Sequence, residues 1–192
     1  MNLRITIYSD LMEWEENINR YGISLHKAYV NGEESELVIS EIPDDFLLPI
    51  IQNHIKDEEI NEIQSIEGGL RIDLGDMSLE WTCCEDITDF YHWEDTLNIS
   101  NENWNRLWIG HPWIYFRVQN DKIQFSDYTD DSEIITENLP IKMELNYLEF
   151  KIQLRAKINE MESFKQKLKQ VIIGSELENK EIIIEKILDN IN

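Results

Sequence analysis

Leu70-Arg71-Ile72-Asp73-Leu74-Gly75-Asp76-Met77-Ser78-Leu79-Glu80-Trp81 is the stretch that decides the fold. Leu70, Ile72 and Leu74 alternate with polar residues, and Met77, Leu79 and Trp81 alternate again after a two-residue break. A period of two on both sides of a glycine-containing break predicts a β-hairpin, because glycine takes the positive φ such turns require. The alternation places Met77, Leu79 and Trp81 on one face, expected to be the core face. Trp113–Gln119 and Lys122–Tyr128 repeat the design around Asn120-Asp121. Lys27–Val30 and Glu36–Ser40 flank Asn31-Gly32 with a longer loop. Leu3, Ile5 and Ile7 mark a further strand. Three hairpins argue for an antiparallel sheet rather than βαβ units.

Helical signals lie around and after these strands. Residues 10–20, through Leu11, Trp14, Glu15 and Ile18, predict a short helix with Asp10 at its N-cap. Phe46, Leu47, Ile50, Ile51 and Ile55 have helical spacing, with Pro49 tolerable only in the first turn. After Pro140, Asn146 and Glu149 form a capping pair. Tyr147, Phe150, Leu154, Ile158, Met161, Phe164, Leu168 and Val171 then recur at about 3.6 residues. The same residues alternate over 148–158, but the longer run favours a helix. Gly174 suits the position after the last turn. Ser175 and Glu178 form a second capping pair before Ile184, Ile187, Leu188 and Ile191. The expected architecture is one α+β domain over 1–192: an antiparallel sheet built from hairpins, with two C-terminal helices packed on it.

The chain has 192 residues, enough to bury a core without a disulfide or metal staple. No apolar run approaches the length of a membrane-spanning helix. The N-terminus reads as a strand rather than a signal peptide. Cys83 and Cys84 are adjacent and fit no disulfide framework, since neighbours on a strand point to opposite faces. One of them is expected to pack in the core. These features together point to a reducing cytoplasm.

Seventeen basic residues stand against 39 acidic ones, a net charge of −22. That balance disfavours nucleic acid and anionic membranes, which need a positive footprint, and favours a basic protein partner. The excess is confined to residues 1–140, which hold 30 acids and 8 bases; residues 141–192 hold nine of each. Residues 72–105 carry nine acids and no lysine or arginine.

Motifs for nucleophilic, phosphate-binding or zinc-hydrolase chemistry are absent, so no enzyme is expected. His54 and Glu58 share a helical spacing but lack a third ligand. His92, Glu94, His111 and the cysteines match no zinc spacing. No metal and no cofactor is expected.

The segment 85–111 is too long for a structureless loop in a compact domain, so one or two short helices are expected there. It is rich in both acids and aromatics. Five of the six tryptophans fall between Trp81 and Trp113. Trp81, and with it Trp113 and Tyr115, read as core. Trp93 and Trp104 lie among acids, and two uses stay open for them. They staple the segment onto the domain, or they anchor a partner inside a charged rim, as interface aromatics do. The second use assigns Asp86, Asp89, Trp93, Glu94, Asp95, Glu102 and Trp104 to a partner-binding surface.

Trp104-Asn105-Arg106-Leu107-Trp108-Ile109-Gly110-His111-Pro112-Trp113 runs into a strand hairpin within this acidic α+β chain. In these respects the chain resembles bacterial immunity proteins that neutralise polymorphic or contact-dependent toxins. The likeness is of charge and architecture over residues 1–140, without a defined motif, so no residue role is carried over. It implies a cytoplasmic inhibitor that binds a basic toxin domain, often a nuclease, and blocks its active site or groove. Two other readings share the composition. One is a DNA mimic with a rod-like acidic face. The other is an enzyme or small-molecule binder whose tryptophans line a pocket.

Overall fold

The computed structural model describes residues 1–10, 25–27, 34–99, 102–131 and 139–189. Asp10, the expected cap of a helix over 10–20, ends the first strand, and the rest of that helix and the Asn31-Gly32 turn lie outside the described residues.

The fold is α+β with two antiparallel sheets. The first contains β1 (Asn2–Asp10), β2 (Leu25–Lys27), β3 (Glu34–Val38), β4 (Gly68–Leu74) and β5 (Met77–Leu79) in the order β2-β3-β1-β4-β5. The second contains β6 (Asn105–Leu107), β7 (Ile114–Gln119), β8 (Lys122–Ser126) and β9 (Ile141–Asn146), paired in sequence order. Both short hairpins form as read. Leu74 pairs with Met77 across Gly75, whose φ is 59°. Gln119 pairs with Lys122 across Asn120 and Asp121, at φ 52° and 60°. Two successive positive φ values define the turn whose twist matches its strands. Between β2 and β3 the pairing is antiparallel, although β3 stops at Val38 and Ile39–Glu41 turn into a 3-10 helix.

Three details of the first sheet depart from the pattern. Strand β5 ends at Leu79, so Trp81 leaves the ladder and is only half-buried, while Met77 is exposed. The short strand does not carry its alternation as far as Trp81. Trp81 instead packs closely on Gly69 of β4, where an added Cβ would stand 2.7 Å from the Trp81 Cβ. Its indole N–H donates to Thr6 Oγ1 at 2.8 Å.

Helix α1 (Leu47–Ile55) carries Pro49 in its first turn, where no intrahelical donor is lost. It ends at Ile55, so His54 and Glu58 share no helix face; the His54 ring instead meets the Gln64 carbonyl at 2.9 Å. Helix α2 (Tyr147–Gly174) is capped by Asn146, whose side chain accepts from the Glu149 N–H at 3.0 Å. Phe150, Leu154, Met161, Phe164, Leu168 and Ile172 form its buried stripe. The helix packs against β1, β8 and β9, so one core joins both sheets.

The end of α2 differs from the expectation. Gly174 is the last helical residue and does not take positive φ. Ser175 closes the helix, donating from its N–H and hydroxyl to the Ile172 carbonyl. Ser175 therefore is not the cap of the last helix. That role falls to Asn179, at φ 55°, ahead of α3 (Lys180–Ile184) and a π turn over Glu185–Asp189. Among the described residues no helix is long and apolar enough to cross a membrane.

Candidate functional site

The strip Glu80–Ile87 stitches the two sheets together. Tyr128, at the end of the second hairpin, accepts from the Glu80 N–H at 2.9 Å and donates to its carbonyl at 3.0 Å. Thr82 donates from its backbone to the Ile109 carbonyl, and its hydroxyl lies within hydrogen-bond distance of the Ile109 and Pro112 carbonyls. Cys83 pairs with His111 and Glu67 with Asp86 as isolated bridges. Gly110 is needed here. A Cβ at that position would lie 2.5 Å from the carbonyl oxygens of both Thr82 and Cys83, and its φ is 95°.

Leaving the seam, the chain forms a nine-residue 3-10 helix, Asp89–Leu97. Such a helix repeats every three residues, so its side chains stand in three straight rows. Phe90, Trp93 and Thr96 form the buried row. Asp89, His92 and Asp95 form a second, and Tyr91, Glu94 and Leu97 the third. Tyr91, Glu94 and Asp95 are exposed.

This arrangement corrects the expectation for Trp93. Its side chain is fully buried and meets Phe125 edge-on at 6.0 Å between ring centres. It belongs to the core, not to a docking surface, because the three-residue repeat turns it inward between outward-facing acids. The other expected residues reach the surface. Asp86 and Asp89 are half-buried at the start of the helix, and Glu94, Asp95 and Glu102 are exposed. Trp104 is half-buried on the outer face of the second sheet.

That outer face carries an aromatic cluster of which strand periodicity indicated only Trp113 and Tyr115. Trp113, Tyr115 and Leu139 are buried in it, with Trp104 and Trp108 packed at its margin. Trp108 stacks on Trp113 at 6.5 Å. The Arg106 guanidinium lies 3.8 Å from the Trp113 ring centre, and that of Arg117 lies 4.5 Å from the Trp104 ring centre. A sequence signal existed for Arg106: it pairs across the sheet with Tyr115, on the strand face opposite Leu107 and Ile114. The strand β6 itself was not expected. The acids join this face at both ends. Trp108 reaches the Asp89 carboxylate, and Glu102 meets the Gln119 amide at 3.4 Å.

Charge is distributed by partner as well as by number. Asp73 is paired with Arg4 and Arg71, Glu80 with Arg71, Glu144 with Lys122, Glu160 with Lys157, Asp44 with Lys167 and Asp127 with Lys142. Among the described residues no lysine or arginine pairs with Asp86, Glu94, Asp95 or Glu102.

Glu85 differs from the exposed acids of this region. It is fully buried at the seam, and among the described residues neither carboxyl oxygen has a hydrogen-bond partner. Burial, reinforced by the charges of Asp89 and Asp86, pushes its pKa up to about 9. The group is therefore neutral at pH 7. Asp89 is raised in the same way, by burial and then by Asp86.

The cysteines also depart from the strand geometry. Cys84 adopts φ 68°, which breaks the alternation, and both thiols are exposed with their sulfurs 3.8 Å apart. Neither is a core residue. Among the described residues no three His, Cys, Asp or Glu side chains converge on a metal position. A cleft lined by Leu177, Asn179, Lys180, Glu181 and Ile182 contains no tryptophan. Comparison of the chain with protein-family models, with curated proteins and with solved structures returned no match.

Proposed function

We propose that the protein is a stoichiometric inhibitor of the immunity type, which binds a basic toxin domain through the 3-10 helix Asp89–Leu97 and the adjoining tryptophan–arginine face. One observation carries this reading. Among the described residues, Asp86, Glu94, Asp95 and Glu102 pair with no lysine or arginine, and they flank a face of half-buried tryptophans, with Trp108 reaching Asp89 and Glu102 meeting Gln119. Unpaired acids raise the rate of encounter with a basic surface. Trp104, Trp108 and Arg106 supply the residue types that dominate binding energy at protein interfaces. Trp93 supports the surface from below by fixing the helix to the core.

Capture from host lysate, followed by titration of the captured protein's activity, tests the reading. Wild type is expected to retain a basic protein at low salt and to silence its activity at a 1:1 ratio. The double variant Glu94→Lys, Asp95→Lys is expected to associate about tenfold or more slowly, with an unchanged urea-unfolding midpoint. Equal association rates for variant and wild type, or inhibition that never saturates at 1:1, would overturn it.

A further inference from the structure

The two cysteines carry a second inference, independent of the inhibitor reading. Their thiols lie on the same side of the seam because the left-handed Cys84 interrupts the strand alternation. Cys83 Sγ donates to the His111 carbonyl at 2.9 Å, and Cys84 Sγ donates to Cys83 Sγ at 3.8 Å. Both sulfurs are open to solvent, so a small reagent reaches either one. The next residue, Glu85, is instead fully buried and approaches Gly69.

We propose that Cys83-Cys84 is a redox modification site, an exposed dithiol that closes reversibly to a ring disulfide by exchange with a small-molecule disulfide. In the first step the Cys83 thiolate attacks one sulfur of that reagent and expels one small thiolate. The Cys84 thiol is pushed up by its hydrogen bond to Cys83 and then by the Cys83 charge, which suits it to act second. Having given its proton to solvent, Cys84 attacks Cys83 in the mixed disulfide and expels the second small thiolate. One S–S bond breaks and one forms. The two electrons leave on the two small thiols, which take up the two protons.

Geometry sets the character of the product. Adjacent Cα atoms are fixed about 3.8 Å apart by the trans peptide, below the roughly 4.4 Å that relaxed disulfides require. The closed ring is therefore strained, and strained, exposed disulfides are the readily reduced ones. Proximity works in the other direction. With the second sulfur already 3.8 Å away, the mixed disulfide is resolved internally before a second reagent molecule or a second chain arrives. The product is a reversible bond rather than a structural one.

Titration of the folded protein with oxidised glutathione, read by intact mass and free-thiol count, tests the proposal. The expected product is a monomer lighter by two hydrogen atoms, with no free thiol and no glutathione adduct. Excess dithiothreitol should restore both thiols. Cys84→Ser should instead stop at the Cys83 mixed disulfide, heavier by one glutathione. A wild type that accumulates a stable glutathione adduct, forms a covalent dimer, or keeps both thiols where Cys84→Ser reacts would overturn it.

Discussion

Glu85 is a carboxyl group in a place hostile to its charged form. Its neutral state carries a proton that the unfolded chain releases near the ordinary glutamate pKa of 4.5, while the folded chain holds it to about 9. The folded state binds the extra proton throughout that window, so stability falls as pH rises, by about 1.4 kcal/mol per pH unit from this group. Asp89 is shifted in the same direction and adds to the trend at the acidic end. Glu85→Gln removes the titration while keeping the shape. Urea unfolding from pH 5 to pH 9 should show a steep decline for wild type and a much flatter profile for the variant; parallel profiles would contradict the assignment. Trp93→Ala should cost about 3–5 kcal/mol in the same assay, as expected for emptying a buried aromatic site. Substituting the exposed Tyr91, two residues away, should leave the midpoint nearly unmoved. Neither Glu85 nor Trp93 was legible as buried. Each sits among acids in the sequence, and composition averages over the one residue that faces inward.

Elements were legible where their period was long or their turn chemistry explicit. Gly75-Asp76 and Asn120-Asp121 announced their hairpins, because few residues tolerate the positive φ these turns need. The 28 residues of α2 repeat their stripe often enough to outweigh the local alternation over 148–158. The short helix expected within 85–111 is present, but its bounds and inward row escaped because its period is three, and a search for 3.6 or 2 passes over it; Phe90, Trp93 and Thr96 are that signal. Strand β9 escaped for another reason. Ile141, Met143 and Leu145 alternate for only six residues before Asn146 starts a helix. Asn146 thus both ends a strand and caps α2. Asn146→Ala should lower stability by about 1 kcal/mol, read as a shifted urea midpoint at constant slope. A change in slope would point instead to loss of the β8–β9 pairing.

At the scale of the whole molecule, the α+β class and the helix packed across strands followed from pattern, while the division into two sheets did not. Hairpins specify which strands are neighbours when they are joined by tight turns. They say nothing about β1, whose partners β3 and β4 are remote in sequence. The charge map was legible as a count, but pairing decided its meaning. Arg4 and Arg71 neutralise Asp73 and Glu80 on the first sheet, while among the described residues Asp86, Glu94, Asp95 and Glu102, near the tryptophans of the second, pair with no lysine or arginine. The two sheets also differ in how much chain must be in hand before they can form. Strands β6 to β9 pair only with sequence neighbours and run directly into α2, whereas β1 lies between β3 and β4. Loop closure therefore delays the first sheet. Pulse-labelled hydrogen exchange during refolding should protect amides of β7 and β8 before those of β1, and the reverse order would contradict this. On the ribosome the disparity takes a different form. β1 is made before both of its partners, and at about 5–20 residues per second it waits several seconds for β4. Leu3, Ile5 and Ile7 spend that interval without the strand that will cover one of their edges, which makes nascent β1 a segment for a chaperone to shield.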